Sequence, residues 1–207
     1  MLSVIDTAYY VVSSYSNFHI TPLKLQKLLY YLKVWGLVAD HEVFKADFVK
    51  WKYGPVNSQV YHEFNGFKKS EITVSNKKYK APDTKDKEFI DFVIESYGSF
   101  PAETLSALTH KGDSWLKAKS EHVIEDEEIK KYYSKSAFAK NFPIEIEKKP
   151  YYAVTTDFYY SFILDFLTDN PQKPPIPVYP SFVAFKNQRM KAQSEINNFI
   201  QHYFQFK

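Results

Sequence analysis

The stretch 20-ITPLKLQKLLYYLKVWGLV-38 reads as one helix with almost no polar face. Thr21 stands where a helix takes its N-cap, and Pro22 falls at the first helical position, where a missing N–H costs nothing. At about 100° per residue, Leu25, Leu28, Leu29, Leu32, Trp35 and Gly36 share one arc. Leu23, Tyr30, Val34, Leu37 and Val38 fall roughly opposite, and Lys24, Lys27 and Lys33 lie at the seams. A helix with two apolar faces is a core helix with neighbours on both sides. The expected fold is therefore mainly α: a compact helical domain around this central buried helix, with a small antiparallel β element and a C-terminal helical extension.

Around this spine the chain divides into short elements. Val4, Ala8, Val11, Val12 and Tyr15 predict a helix over 2–15. Val49, Trp51 and Tyr53 alternate with Lys50 and Lys52, the period of a half-buried strand within 43–53. Gly54-Pro55 reads as a break that opens a helix over 56–64. Residues 72–74 and 78–80 read as a small hairpin around Ser75-Asn76. A helix over 85–97 follows, capped by Thr84 and closed by Gly98. Pro101 starts a short helix carrying Leu105, Leu108 and His110; Asp113 caps a turn holding Trp115, and 125–133 is a charged helix. Beyond this, 155–167 reads as an aromatic helix, 170–180 as a proline-rich extended connection and 181–206 as a closing helix. The domain reading is 1–140 and a variable extension, 141–207, packed on it.

Composition narrows the function classes. The 207 residues are 44% hydrophobic and 18% aromatic, enough to build a core. Cysteine is absent, so neither a disulfide framework nor thiolate chemistry is available. No apolar run reaches the roughly 18 residues that span a bilayer, and no signal peptide is visible, so the expected location is cytoplasmic. Net charge is only +3 and Arg189 is the sole arginine, which argues against a dedicated nucleic-acid binder. The common catalytic and phosphate-binding motifs are missing, and the six histidines show no metal-ligand spacing. No catalytic, cofactor or metal residue is assigned, and the chain is not expected to be an enzyme.

Several blocks together resemble a known family. They are 21-TPLKLQKLLYY-31, 51-WKYGPV-56, Val60-Tyr61 and Phe64, Tyr97-Gly98, 105-LSALTH-110 and Trp115. In order and spacing they are similar to the Panacea domain, also called the SocA-like antitoxin domain, which is related to phage-associated GepA proteins. The resemblance covers about residues 4–133. It implies a mainly helical domain with a small β element. It also implies an antitoxin of a toxin–antitoxin system, neutralising a cognate protein toxin by direct contact. The SocA branch is similar to an adaptor that carries its toxin to a ClpXP-type protease.

The candidate partner-binding residues are Trp51, Lys52, Tyr53, Pro55, Tyr61, His110 and Trp115. Trp and Tyr supply large, rigid contact area. For Trp51 and Tyr53, burial competes with contact; for Gly54-Pro55, a structural turn competes with it; for Thr109-His110 and Trp115, local packing does. The alternative function is a DNA-binding regulator or accessory protein of a phage or mobile element, with the 77–80 lysines as a basic wing. No membrane partner is expected.

Overall fold

The computed structural model describes residues 1–74, 77–155 and 176–204. Its centre is α2 (Pro22–Val38), which begins where the sequence places it. Thr21 is extended, and its hydroxyl accepts the Lys24 N–H at 3.3 Å. Every residue from Lys24 to Gly36 is buried. Six elements lie against it: α1 (Val4–Ser14), α3 (Ser58–Phe64), α4 (Thr84–Tyr97), α5 (Ala102–His110), α7 (Asp126–Tyr133) and the second strand of the hairpin below. The short α6 (Asp113–Lys117) bridges α5 and α7. Burial of Leu25, Leu28, Leu29 and Leu32 contributes about 1.5–3 kcal/mol each, so this helix organises the domain.

Two small antiparallel sheets accompany the helices. β1 (Val49–Trp51) pairs with β2 (Gly54–Val56), and β3 (Tyr151–Tyr152) with β4 (Val178–Tyr179). The fold is thus mainly α with small β elements, as the pattern of residues requires. The last helix, α8 (Phe182–Phe204), is exposed over 191–198.

An aromatic seam joins α2 to the rest. Tyr31 stacks on Tyr97 with ring centroids 4.1 Å apart, and the Trp35 indole donates to the Tyr97 hydroxyl at 2.9 Å. Phe138 packs on Trp35 at 4.6 Å, and Phe182 on Phe92 at 4.5 Å. Tyr151, 2% exposed, donates to Ser96 Oγ at 2.8 Å. Burial raises the hydroxyls of Tyr31, Tyr97 and Tyr133 well above the ordinary tyrosine range, so they stay neutral.

The structure corrects several sequence expectations. Gly54-Pro55 does not open a helix; it lies in β2, and α3 starts at Ser58 with Asn57 as its cap. Proline is tolerated there because β2 is an edge strand. Neither 72–74 nor 78–80 is a strand. That segment is pinned to its surroundings instead: the Ile72 N–H donates to Ile20 O at 2.8 Å, the Lys80 N–H donates to Asp6 at 2.9 Å, and Tyr79 stacks near Tyr9. The Ser75-Asn76 turn lies outside the described residues. Asp83, not Thr84, caps α4. Gly98 has a right-handed φ of −63°; its glycine is explained by the Phe18 ring, which fills the place of a Cβ. The expected aromatic helix over 155–167 lies outside the described residues from 156 onward, and Thr155 is irregular.

Replacing Tyr151 by Ala is expected to lower stability by about 3 kcal/mol, since it leaves a cavity among the surrounding rings and removes the hydrogen bond to Ser96 Oγ, which keeps its own bond to Phe92 O. Urea denaturation measures this; an unchanged midpoint would place the extension outside the cooperative core.

Candidate functional site

The candidate residues converge on the β1–β2 hairpin. Its register pairs Val49 with Val56, Lys50 with Pro55 and Trp51 with Gly54, leaving Lys52-Tyr53 as the turn. The other edge of β1 is covered by 121–124. Lys50 N–H donates to His122 O at 3.0 Å, Glu121 N–H to Lys50 O at 2.9 Å, and Ile124 N–H to Phe48 O at 2.8 Å. β1 is thereby held between two neighbours, which stiffens a hairpin too short to be stable alone.

From below, buried side chains hold the hairpin by its main chain. Lys27 Nζ donates to Pro55 O at 2.8 Å, and Ser106 Oγ donates to Tyr53 O at 2.8 Å. Gln26 and Asn57 exchange two bonds: Gln26 Nε2 donates to Asn57 O at 3.1 Å, and the Asn57 N–H donates to Gln26 Oε1 at 2.8 Å. Gly54 adopts φ +95°, and a Cβ there would sit 2.6 Å from Thr109 Oγ1 and 3.0 Å from Lys27 Nζ. Only glycine meets both the left-handed backbone and the close approach.

The outer side presents aromatics. Trp51, Tyr53 and Tyr61 are 36%, 62% and 41% exposed, and the Trp51 and Tyr61 rings meet edge to face at 5.1 Å. Lys52 Nζ lies 5.4 Å from the Tyr53 ring centroid. The structure thus puts Trp51, Lys52, Tyr53 and Tyr61 outward on the hairpin and α3. Pro55 is buried and engages α2 through its carbonyl.

His110 and Trp115 are half-buried, with rings 4.2 Å apart. Lys50 Nζ sits 4.3 Å from the Trp115 ring centroid and donates to Leu116 O and Ala118 O. This is a local packing motif that anchors the far side of β1. Within it, His110 Nε2 and Trp115 Nε1 are buried without a hydrogen-bond partner among the described residues.

Sequence reasoning missed Leu116 and Val123, which are exposed beside the hairpin, because they fall outside the recognisable blocks. It also left Gln26 and Lys27 without a role. A Gln and a Lys at adjacent positions of an otherwise apolar helix were the available signal, since buried polar groups require partners.

Burial pushes the Lys27 ammonium down to about 7 and that of Lys24 to about 8. Burial, then the charges of Lys27 and Lys50, lower His110 as well. No group of three or more His, Cys, Asp or Glu side chains among the described residues is placed to hold a metal ion.

Residues 25–116 match the family model described as the antitoxin SocA-like, Panacea domain. The matched stretch runs from α2 through the hairpin to α6 and contains all seven candidate residues. No curated protein and no solved structure matches the chain.

The lysine environments set a pH dependence. Lys27 and Lys24 ordinarily titrate at 10.5, so between about 7 and 10 the unfolded chain binds more protons than the folded one. Stability is therefore expected to rise with pH across that window and to be lost as pH falls through it. His110 continues the same trend below its ordinary range. Replacing Lys27 by Met is expected to flatten the slope, leaving the share due to Lys24. Urea midpoints at about pH 7 and about pH 9.5 test this; an identical slope in the variant would contradict it.

Proposed function

We propose that this protein is the antitoxin of a toxin–antitoxin pair and that it silences a cognate protein toxin by direct binding through the outer face of the β1–β2 hairpin. The observation that carries this reading is the exposed set Trp51, Tyr53 and Tyr61, mounted on a backbone fixed from within. Large exposed aromatics on a rigid support lose little conformational entropy when covered. The family match over the same residues supports a toxin as the kind of partner. Handing the bound toxin to a ClpXP-type protease extends the reading, by analogy with the SocA branch. The proposal assigns no catalytic group to the chain.

The basic-wing alternative draws less support. Lys77 is engaged with Glu63 at 3.0 Å and lies 5.2 Å from the Tyr9 ring centroid, and the flanking segment is fastened to α1.

Purification of the tagged full-length chain from its native host is expected to bring down a protein whose expression alone arrests growth. Co-expression of the wild-type chain restores growth, and the Trp51→Ala/Tyr53→Ala double variant fails to. Truncation of a central aromatic hot spot weakens binding by about 2 kcal/mol or more. Absence of any growth-arresting partner would sink the antitoxin reading. Full rescue by the double variant would move the contact elsewhere.

A further inference from the structure

A second surface, which shares none of the seven candidate residues of the hairpin site, points to another contact. Between α8 and the N-terminal ends of α2 and α5 lies a groove of about 1120 Å³. We propose that this groove is a docking site for an acidic peptide segment of a partner protein.

Its charge is one-sided. Lys24, Lys68, Lys69 and Arg189 line it, with Glu103 as the single lining carboxylate among the described residues; Glu71 stands outside the lining and pairs with His19 at 3.2 Å. Lys68 and Lys69 are exposed at the rim. Lys24 is different: it is 6% exposed, and its ammonium donates to Phe18 O at 2.5 Å. A carbonyl satisfies one of its three donors, and no carboxylate lies within ion-pair distance among the described residues. The carboxylates of Glu71 and Glu103 attract it only from beyond that distance, so an anion entering the groove would complete the surroundings of this buried cation.

Two helix ends add to this field. Ala102 and Glu103 belong to the first turn of α5, a helix of nine residues whose N-terminus has no side-chain cap. Thr21 and Leu23 bring the start of α2 to the same groove. Helix N-termini favour negative charge.

The remaining walls suit a peptide better than a nucleic acid. Asn17, Gln193 and Asn197 offer both donors and acceptors, matching a peptide backbone. Leu23 and Met190 give apolar contact, and Met190 is 63% exposed. The phenyl ring of the lining, Phe18, is 9% exposed, and the His19 imidazole is engaged with Glu71 at 3.2 Å, so the groove is poorly furnished with stacking platforms. The guanidinium of Arg189 is already held by Glu95 and lies against the Phe18 and Phe185 rings. It shapes the wall rather than reading phosphates or bases.

The proposal stands apart from the hairpin reading, and its test separates the two. The probe is a short fluorescein-labelled peptide alternating Glu and Leu, with a Lys/Leu twin as control, titrated into the full chain by fluorescence anisotropy. Saturable, salt-sensitive binding of the acidic peptide alone is expected. Lys68→Glu/Lys69→Glu, a change at exposed positions, is expected to weaken it by about tenfold or more. Lys24→Met, with its fold checked by circular dichroism, is expected to weaken it too. Trp51→Ala/Tyr53→Ala is expected to leave it unchanged. The proposal is overturned by absence of saturable binding or by equal affinity in the Lys68/Lys69 variant. It is equally overturned by tighter binding of a labelled oligonucleotide, or by sedimentation showing that a second copy of the chain fills the groove.

Discussion

The structure depends on pairing the lysines of a helix that is buried from Lys24 to Gly36. α2 carries three lysines, and each ends on a main-chain carbonyl of a neighbouring segment. Lys24 reaches Phe18 O at 2.5 Å, Lys27 reaches Pro55 O at 2.8 Å, and Lys33 reaches Ala46 O at 2.8 Å. Lys33 also meets Asp126 at 2.6 Å. Charge-assisted bonds of this kind contribute about 1.5–3 kcal/mol each when formed, and a buried charge left without one costs more. Satisfying the helix therefore fixes the loop before it, the connection leading to β1, and β2 itself. The polar groups that look like defects in an apolar helix set the positions of the segments around it.

Aromatic packing extends this order outward. The rings of Tyr31, Trp35, Tyr97 and Phe138 form a continuous set, and Phe92 carries the contact to Tyr151 and Phe182. Offset and edge-to-face pairs of this kind add about 0.5–1.5 kcal/mol beyond the area they bury. The described part of the C-terminal region is fastened at two kinds of point: rings at Tyr151, Phe182 and Phe185, and the Arg189–Glu95 ion pair. Beyond Arg189, α8 has no buried residue through 198, and there it forms one side of the basic groove.

What the sequence made legible follows from periodicity. α2 shows because apolar residues occupy both arcs, and its start shows because Thr21-Pro22 has one sensible use. The hairpin was half legible: alternation marked β1, but Gly54-Pro55 carries the signature of a break and serves as a strand. Local propensity yields there to tertiary contact, because Pro55 needs no N–H on an edge and Lys27 takes its carbonyl. The 72–80 segment failed for the opposite reason. Its polar pattern suggested self-pairing, while its backbone groups find partners at Ile20 and Asp6, more than fifty residues away. Of the candidate site, the aromatics were visible from their block, and the clamps beneath them were not, since a Gln and a Lys reveal partners only in three dimensions.

The clamps on the hairpin grip carbonyls and an amide: Tyr53 O, Pro55 O, and both main-chain groups of Asn57. None grips the side chains of Trp51, Lys52 or Tyr53. The shape of this loop is thus written in residues that never meet solvent, while its outward chemistry is written in residues that do not hold the shape. Such a division allows the exposed letters to be changed one at a time with little penalty to folding, as variable loops on a fixed scaffold are. A protein built this way can follow a changing partner by drift at a few surface positions, without renegotiating its interior.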